Sequence, residues 1–325
     1  MNNFKKIGMT ALAASLVSTS VFAGELTASG GASLTVEGYS GTEAQTDTAY
    51  SMGDSVILSG STELDNGLTI TMAFELDGDA EAASTTSAYD DNSLTIASDA
   101  MGTLKFSAHG GSSASSAMDG TAAGDMYDNF DTGLASLGAA TKAAGAGENS
   151  FFYTTPSLVE GLVATASLNT TGATGNSAMG IGITYTGVEG LSLSYGTADI
   201  NAGASTNSGD QTVMKASYAV GSVTLAYTNS EYKVGTAITQ ATGQEVTSYA
   251  VSYTVSDALS VTYGIESIES GLSTDNDAEY EGLTVAYTAG GMTLTAKSQE
   301  ADGILHTTAA DEDYEYWSLG LAFAF

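Results

Sequence analysis

The chain has no cysteine and a single proline, Pro156, and all seven of its basic side chains are lysines. Without cysteine there is neither a disulfide framework nor a thiol for nucleophilic or redox chemistry. Against those 7 basic residues stand 38 acidic ones, giving a formal net charge of −31. A phosphate backbone needs a dense cationic surface, so nucleic acid is excluded as a partner. Only two histidines, His109 and His306, offer an imidazole base. Neither lies in a catalytic motif: Gly111-Ser112-Ser113-Ala114-Ser115 lacks the second glycine of a nucleophile elbow. Gly180-Ile181-Gly182 lacks the spacing and following helix of a dinucleotide fingerprint. No enzyme is expected. Beyond residue 23 there is also no apolar run long enough to cross a bilayer as a helix.

The first residues are of a different kind. Lys5 and Lys6 precede a mostly apolar run from Ile7 to Phe22, and Val21-Phe22-Ala23 ends it with small residues at −3 and −1. A basic start, a short apolar middle and a small-residue cleavage site make residues 1–23 a secretory signal peptide. The expected mature chain, residues 24–325, reads as one domain, because no Pro- or Ser-rich linker divides it.

Within it, apolar residues recur with period two. Leu68, Ile70, Met72, Phe74 and Leu76 share one face, and Thr69, Thr71, Ala73 and Glu75 share the other. The same alternation runs through Leu191–Tyr195, Val223–Tyr227, Val251–Val255, Leu259–Ile265 and Leu283–Tyr287. A soluble β-sandwich also alternates, but three further features favour a membrane barrel. Tight turns such as Asp65-Asn66-Gly67 and Ala289–Gly291 alternate with long acidic connections. Charged residues within strands fall in the polar register: Lys105, Lys215 and Lys297, and likewise Glu37, Glu63, Glu75 and Glu266. Tyr185, Tyr218, Tyr253 and Tyr287 collect near the tight turns, as an interfacial aromatic girdle does. Few aromatics fall in the lumen register.

The predicted fold is all-β, a transmembrane antiparallel β-barrel of about 16 strands, near residues 25–38, 52–64, 68–77, 92–98, 103–109, 150–156, 162–169, 178–187, 191–199, 210–220, 221–230, 246–255, 259–267, 279–288, 291–299 and 315–325. An even count puts both termini on the periplasmic side, and a barrel of this size leaves an aqueous channel.

Three stretches resemble the trimeric Gram-negative general-diffusion porins, most closely the type of marine and photosynthetic alphaproteobacteria. They are E-L-T-A-S-G-G-A-S-L at 25–34, T-E-L-D-N-G-L-T at 62–69 and S-L-T-I-A-S-D-A-M-G-T-L at 93–104. Trp317, Leu319, Leu321, Phe323 and Phe325 look like the family's closing strand. The resemblance implies that terminal Phe325 is an assembly signal for the barrel-insertion machinery, that the chain forms a homotrimer in outer-membrane lipid, and that loop 3, residues 110–149, folds into the lumen. That loop carries Asp119, Asp125, Asp128 and Asp131. Family members oppose such carboxylates with an arginine cluster; this chain has no arginine, so Lys105, Lys215 and Lys297, with His109 beside the loop, must take that part.

The expected function is passive diffusion of small hydrophilic solutes, with a preference for cations set by the loop aspartates and by Glu37, Glu63, Glu75 and Glu266. A substrate-specific channel would share the architecture but need an ordered binding track. A secreted structural or adhesive β protein would need no apolar exterior. No cofactor is expected, although Asp275–Glu279 and Asp311-Glu312-Asp313 could bind Ca²⁺ or Mg²⁺ on outer loops.

Overall fold

A computed structural model describes residues 26–41, 48–77, 90–130, 149–170, 176–202, 209–234, 243–270, 276–304 and 314–325. The expected signal peptide, Asp131, Asp275, His306 and Asp311–Asp313 lie outside these residues. Sixteen strands form one closed antiparallel barrel in which each pairs with its sequence neighbours and the first pairs with the last. They are β1 Leu26–Ser40, β2 Ala49–Glu63, β3 Thr69–Asp77, β4 Asn92–Ser98, β5 Gly102–His109 and β6 Ser150–Thr154. Then come β7 Leu162–Thr170, β8 Asn176–Tyr185, β9 Leu191–Ala202, β10 Gly209–Val220 and β11 Val223–Val234. The circuit ends with β12 Gly243–Ser256, β13 Leu259–Ser270, β14 Ala278–Ala289, β15 Met292–Asp302 and β16 Tyr314–Ala324. Closure satisfies every strand edge, which is what hydrocarbon demands of a backbone that cannot bond to water. The seam is sealed by β1 against β16, with Leu34 opposite Leu321 and Glu37 opposite Ser318.

Side chains sort by the pleat. Leu283 and Tyr287 on β14, Tyr253 on β12 and Leu319 on β16 face outward and are exposed on the bare chain. The four girdle tyrosines stand outward next to the short turns, and two further outward rings, Tyr227 and Tyr249, pack tilted against each other at 5.1 Å higher on the wall. A crossing strand needs about 9–11 residues, so strands of 12 to 15 residues such as β1, β2 and β13 continue above the bilayer.

There the pattern inverts. In Asp313-Tyr314-Glu315-Tyr316-Trp317, Tyr314 and Tyr316 are buried inside while Glu315 is exposed outside; one step lower Trp317 faces outward. Likewise Glu279 and Glu281 face outward around inward Tyr280, Glu300 and Asp302 around Ala301, and Glu269 beside Ile268. The expectation that strand charges lie on the lumen face therefore fails at these strand tops, where the outer surface meets water and lipid headgroups, and at Asp54, which shares the outward face of β2 with Met52 and Val56. The expectation of few lumen aromatics also fails: Tyr39, Tyr232, Tyr280, Tyr314 and Tyr316 point inward at these strand tops, and Phe152 does so lower on the wall.

The wall is uneven. Strands β3, β4, β5 and β6 have 9, 7, 8 and 5 residues, against 15 in β1 and β2. The barrel is thus cut low on one side, and its outward face there carries Met72, Leu94, Leu104 and Phe151.

Candidate functional site

Loop 3 leaves β5 at Gly110 and runs inside the barrel along its inner wall. Contacts with successive strands trace its course. The Ala114 N–H donates to Ser167 Oγ on β7 (2.9 Å), and the Ser115 hydroxyl donates to Gln211 Oε1 on β10 (2.9 Å). Lys215, also on β10, donates from Nζ to the Gly120 carbonyl (2.6 Å). The Ala123 N–H reaches Ser248 Oγ on β12 (2.9 Å), and Asn129 Nδ2 reaches Gln299 Oε1 on β15 (2.9 Å). The described part of the loop therefore runs along the wall from β7 to β15.

Two kinds of surface hold it. Early in the loop, Met118 on a 3₁₀ turn at Ser116–Met118 sits over Gly182 and Gly196, which face each other across β8–β9. A Cβ on Gly182 would stand 2.7 Å from Met118 Cε, and one on Gly196 2.8 Å from its Sδ, so a side chain at either position displaces the Met118 tip. Further on, Met126 and Phe130 bury among Val246, Ile268, Ala278, Tyr280, Tyr314 and Tyr316. The Phe130 ring lies 5.6 Å from Tyr280 and 6.1 Å from Tyr316. Burying side chains of that size contributes about 1.5–3 kcal/mol each, against about 0.5–1.5 kcal/mol net for each polar contact. The apolar anchors and the polar contacts thus contribute on a similar scale, and the hydrogen bonds also fix the register along the wall.

The loop carboxylates differ in role. Asp125 adopts a left-handed backbone (φ 51°), accepts the Thr121 N–H at Oδ1 (2.8 Å), and its own N–H donates to Thr121 Oγ1 (2.7 Å). It closes a turn as well as carrying charge. Asp128 is exposed, whereas Asp119 is half-buried. Burial, followed by the nearby Asp125 charge, pushes Asp119 above the usual carboxylate range, while a Gln211 hydrogen bond and Lys215 oppose that rise.

On the wall, Glu37, Glu63 and Glu75 all project inward; Glu37 Oε2 accepts the Tyr316 hydroxyl (2.9 Å). Asp77, one turn of the pleat above Glu75, joins them. Its inward phase was legible from outward Leu76, but the sequence reading passed over it. Glu266 also points inward yet is only 3 % exposed. It lies beneath loop 3, accepting the Tyr127 N–H at Oε1 (3.3 Å). Sequence alternation placed it in the lumen register, but it is a loop contact, screened from the water path by the loop that the sequence could not position. His109 ends β5 opposite Asn92, beside a bulge that interrupts the alternation by which the sequence placed it in the lumen register.

Lys105, Lys215 and Lys297 stand on β5, β10 and β15. Spaced five strands apart on a sixteen-strand ring, they are distributed around the circumference instead of clustered opposite the loop. Among the described residues no group of three or more His, Asp or Glu side chains is arranged to hold a metal ion.

A closed sixteen-strand membrane barrel narrowed by an inward loop defines a pore. The sequence model of a family described as Gram-negative porin matches residues 8–325, and the chain belongs to that family. It is an outer-membrane channel protein. The anion-selective porin of Comamonas acidovorans superposes with a TM-score of 0.67 at 18% identity, over 93% of this chain and 99% of that one. A triple mutant of the porin of Rhodopseudomonas blastica gives a TM-score of 0.64 at 15% identity, over 93% and 100%. No curated protein sequence matches at a significant level.

Proposed function

We propose that this protein is a passive diffusion pore for small hydrophilic solutes and ions with a preference for cations, working as a homotrimer in the outer membrane after export by a cleaved signal. The observation that carries the cation preference is the charge on the two sides of the water path. Glu37, Glu75 and Asp77 project inward from β1 and β3, and Asp119, Asp125 and Asp128 lie on the described part of the loop. Carboxylates on both sides concentrate cations and oppose anions, within a Debye length of about 8 Å at physiological ionic strength. The anion-selective neighbour shares the fold at 18% identity, and selectivity depends on lumen side chains that a shared fold does not conserve.

The low wall of β3–β6 with its apolar outward face supports trimer contacts on that side. Phe325, at the seam, fits recognition by the barrel-assembly machinery. Calcium or magnesium at the outer loop acids stays a proposal about residues such as Asp275 and Asp311–Asp313.

Replacing Asp119, Asp125, Asp128 and Asp131 together with asparagine tests the loop's part. Asparagine tolerates the left-handed backbone at 125 and its amide oxygen still accepts the Thr121 N–H. The expected result is a lower cation preference in planar bilayers with channel conductance preserved. Unchanged selectivity would mean that the loop is not the selective narrowing.

A further inference from the structure

Between the underside of loop 3 and the wall of β6–β11 lies a chamber of about 520 Å³, within the range of roughly 300–1,000 Å³ typical of small-molecule sites. Its wall residues sit in the halves of their strands nearest the short turns, on the periplasmic side of the loop. Thr184, Ser194, Lys215 and Thr228 stand in one lateral row: Ser194 and Thr228 are the cross-strand partners of Lys215, and the Thr184 and Ser194 hydroxyls bond at 3.0 Å. Phe152 closes one flank, and across β5–β6 from it stands Lys105.

The chemistry of this chamber is opposite to that of the chain. In a protein with 38 acidic residues no carboxylate lines it, and its one charged lining residue is Lys215. Lys215 Nζ gives one hydrogen bond to Gly120; an ammonium carries three donors. The Thr228 hydroxyl, on a residue 1 % exposed, has no hydrogen-bond partner, nor has that of Thr165 at the chamber's edge. Buried polar groups are ordinarily satisfied, so hydroxyls without partners sit in the wall behind this space.

Building on the channel reading above, we infer that this chamber is a subsite for a small carboxylate-bearing polyhydroxylated solute, a sugar acid. Its carboxylate is held by Lys215 and Thr228, its hydroxyls by Ser194 and its neighbours, and its carbon face rests on Phe152. The acidic mouth slows such an anion without barring it, because carboxylates act only over the screening length. Past the loop, the solute meets a stretch of wall whose lining charge is Lys215 and lingers there.

The test uses the full-length protein in planar bilayers, with gluconate exchanged for chloride at constant ionic strength on the side of the short turns. The inferred subsite gives a single-channel conductance that falls saturably with gluconate and not with sorbitol. Lys215→Gln, which keeps an N–H for Gly120, should weaken the block at least tenfold. Thr228→Val, which removes no hydrogen bond to the loop, should weaken it several-fold, and Lys215→Arg should retain it. Ohmic channels whose gluconate block is unsaturable, is matched by sorbitol, or survives both weakening substitutions would overturn the subsite alone. Absence of any channel activity would overturn the channel reading and the subsite with it.

Discussion

Removing Phe325 should nearly abolish folded barrel in outer membranes, while Phe325→Ala should fold in detergent yet fail to accumulate in cells. Deletion and truncation act on different things. The Phe325 backbone closes the seam, its N–H donating to the Gly30 carbonyl (3.0 Å) and its carbonyl accepting the Gly30 N–H (2.8 Å). In lipid, each backbone group left unpaired costs several kcal/mol, about tenfold in population for every 1.4 kcal/mol. Alanine keeps both bonds and removes only the ring, which is 74 % exposed and so adds little to packing on the bare chain. If the ring is what the assembly machinery recognises, the Ala variant refolded in detergent keeps the heat-modifiable migration of an unboiled trimer, but its amount in isolated outer membranes drops at least tenfold. Normal accumulation of Phe325→Ala would remove the assembly-signal role and leave Phe325 a seam residue.

The second large effect is expected at the paired glycines beneath loop 3. Replacing Gly182 and Gly196 together with leucine should cut single-channel conductance by about half or more, because pore conduction follows the narrowest lumen section. Both leucines face the lumen, so the pairing of β8 with β9 survives, but their side chains occupy the space of Met118. The 3₁₀ turn is then pushed off the wall while Met126 and Phe130 still hold the far end, so the loop swings into the lumen. Circular dichroism should show unchanged strand content. Wild-type conductance in the double variant would mean that this part of the loop does not border the conducting path.

These two cases show what alternation could and could not reveal. The run Leu68–Leu76 reads out its own orientation residue by residue, because one face meets lipid and the other water, and the sixteen strands lie close to where that pattern puts them. Strand tops were misjudged where the surroundings change: above the bilayer the outside is polar, so Glu315 turns out and Tyr316 turns in. Period two also gives a side without a height. Gln211, Ser248, Glu266 and Gln299 were legible as lumen residues, but their shared task of seating loop 3 depends on which rung of the ladder each occupies. Nothing local in Gly182 or Gly196 announces Met118, since that contact joins residues more than sixty positions apart. The absent arginine was informative at once, and the structure adds that the three lysines replacing it are spread over β5, β10 and β15.

The central claim is a water-filled pore whose fixed carboxylates favour cations, and the zero-current potential across a planar bilayer separating concentrated from dilute KCl tests it most directly. Cation preference makes the dilute side positive, by an amount that shrinks as both solutions are made more concentrated and the lumen charges are screened. A dilute side that turns negative would contradict the account.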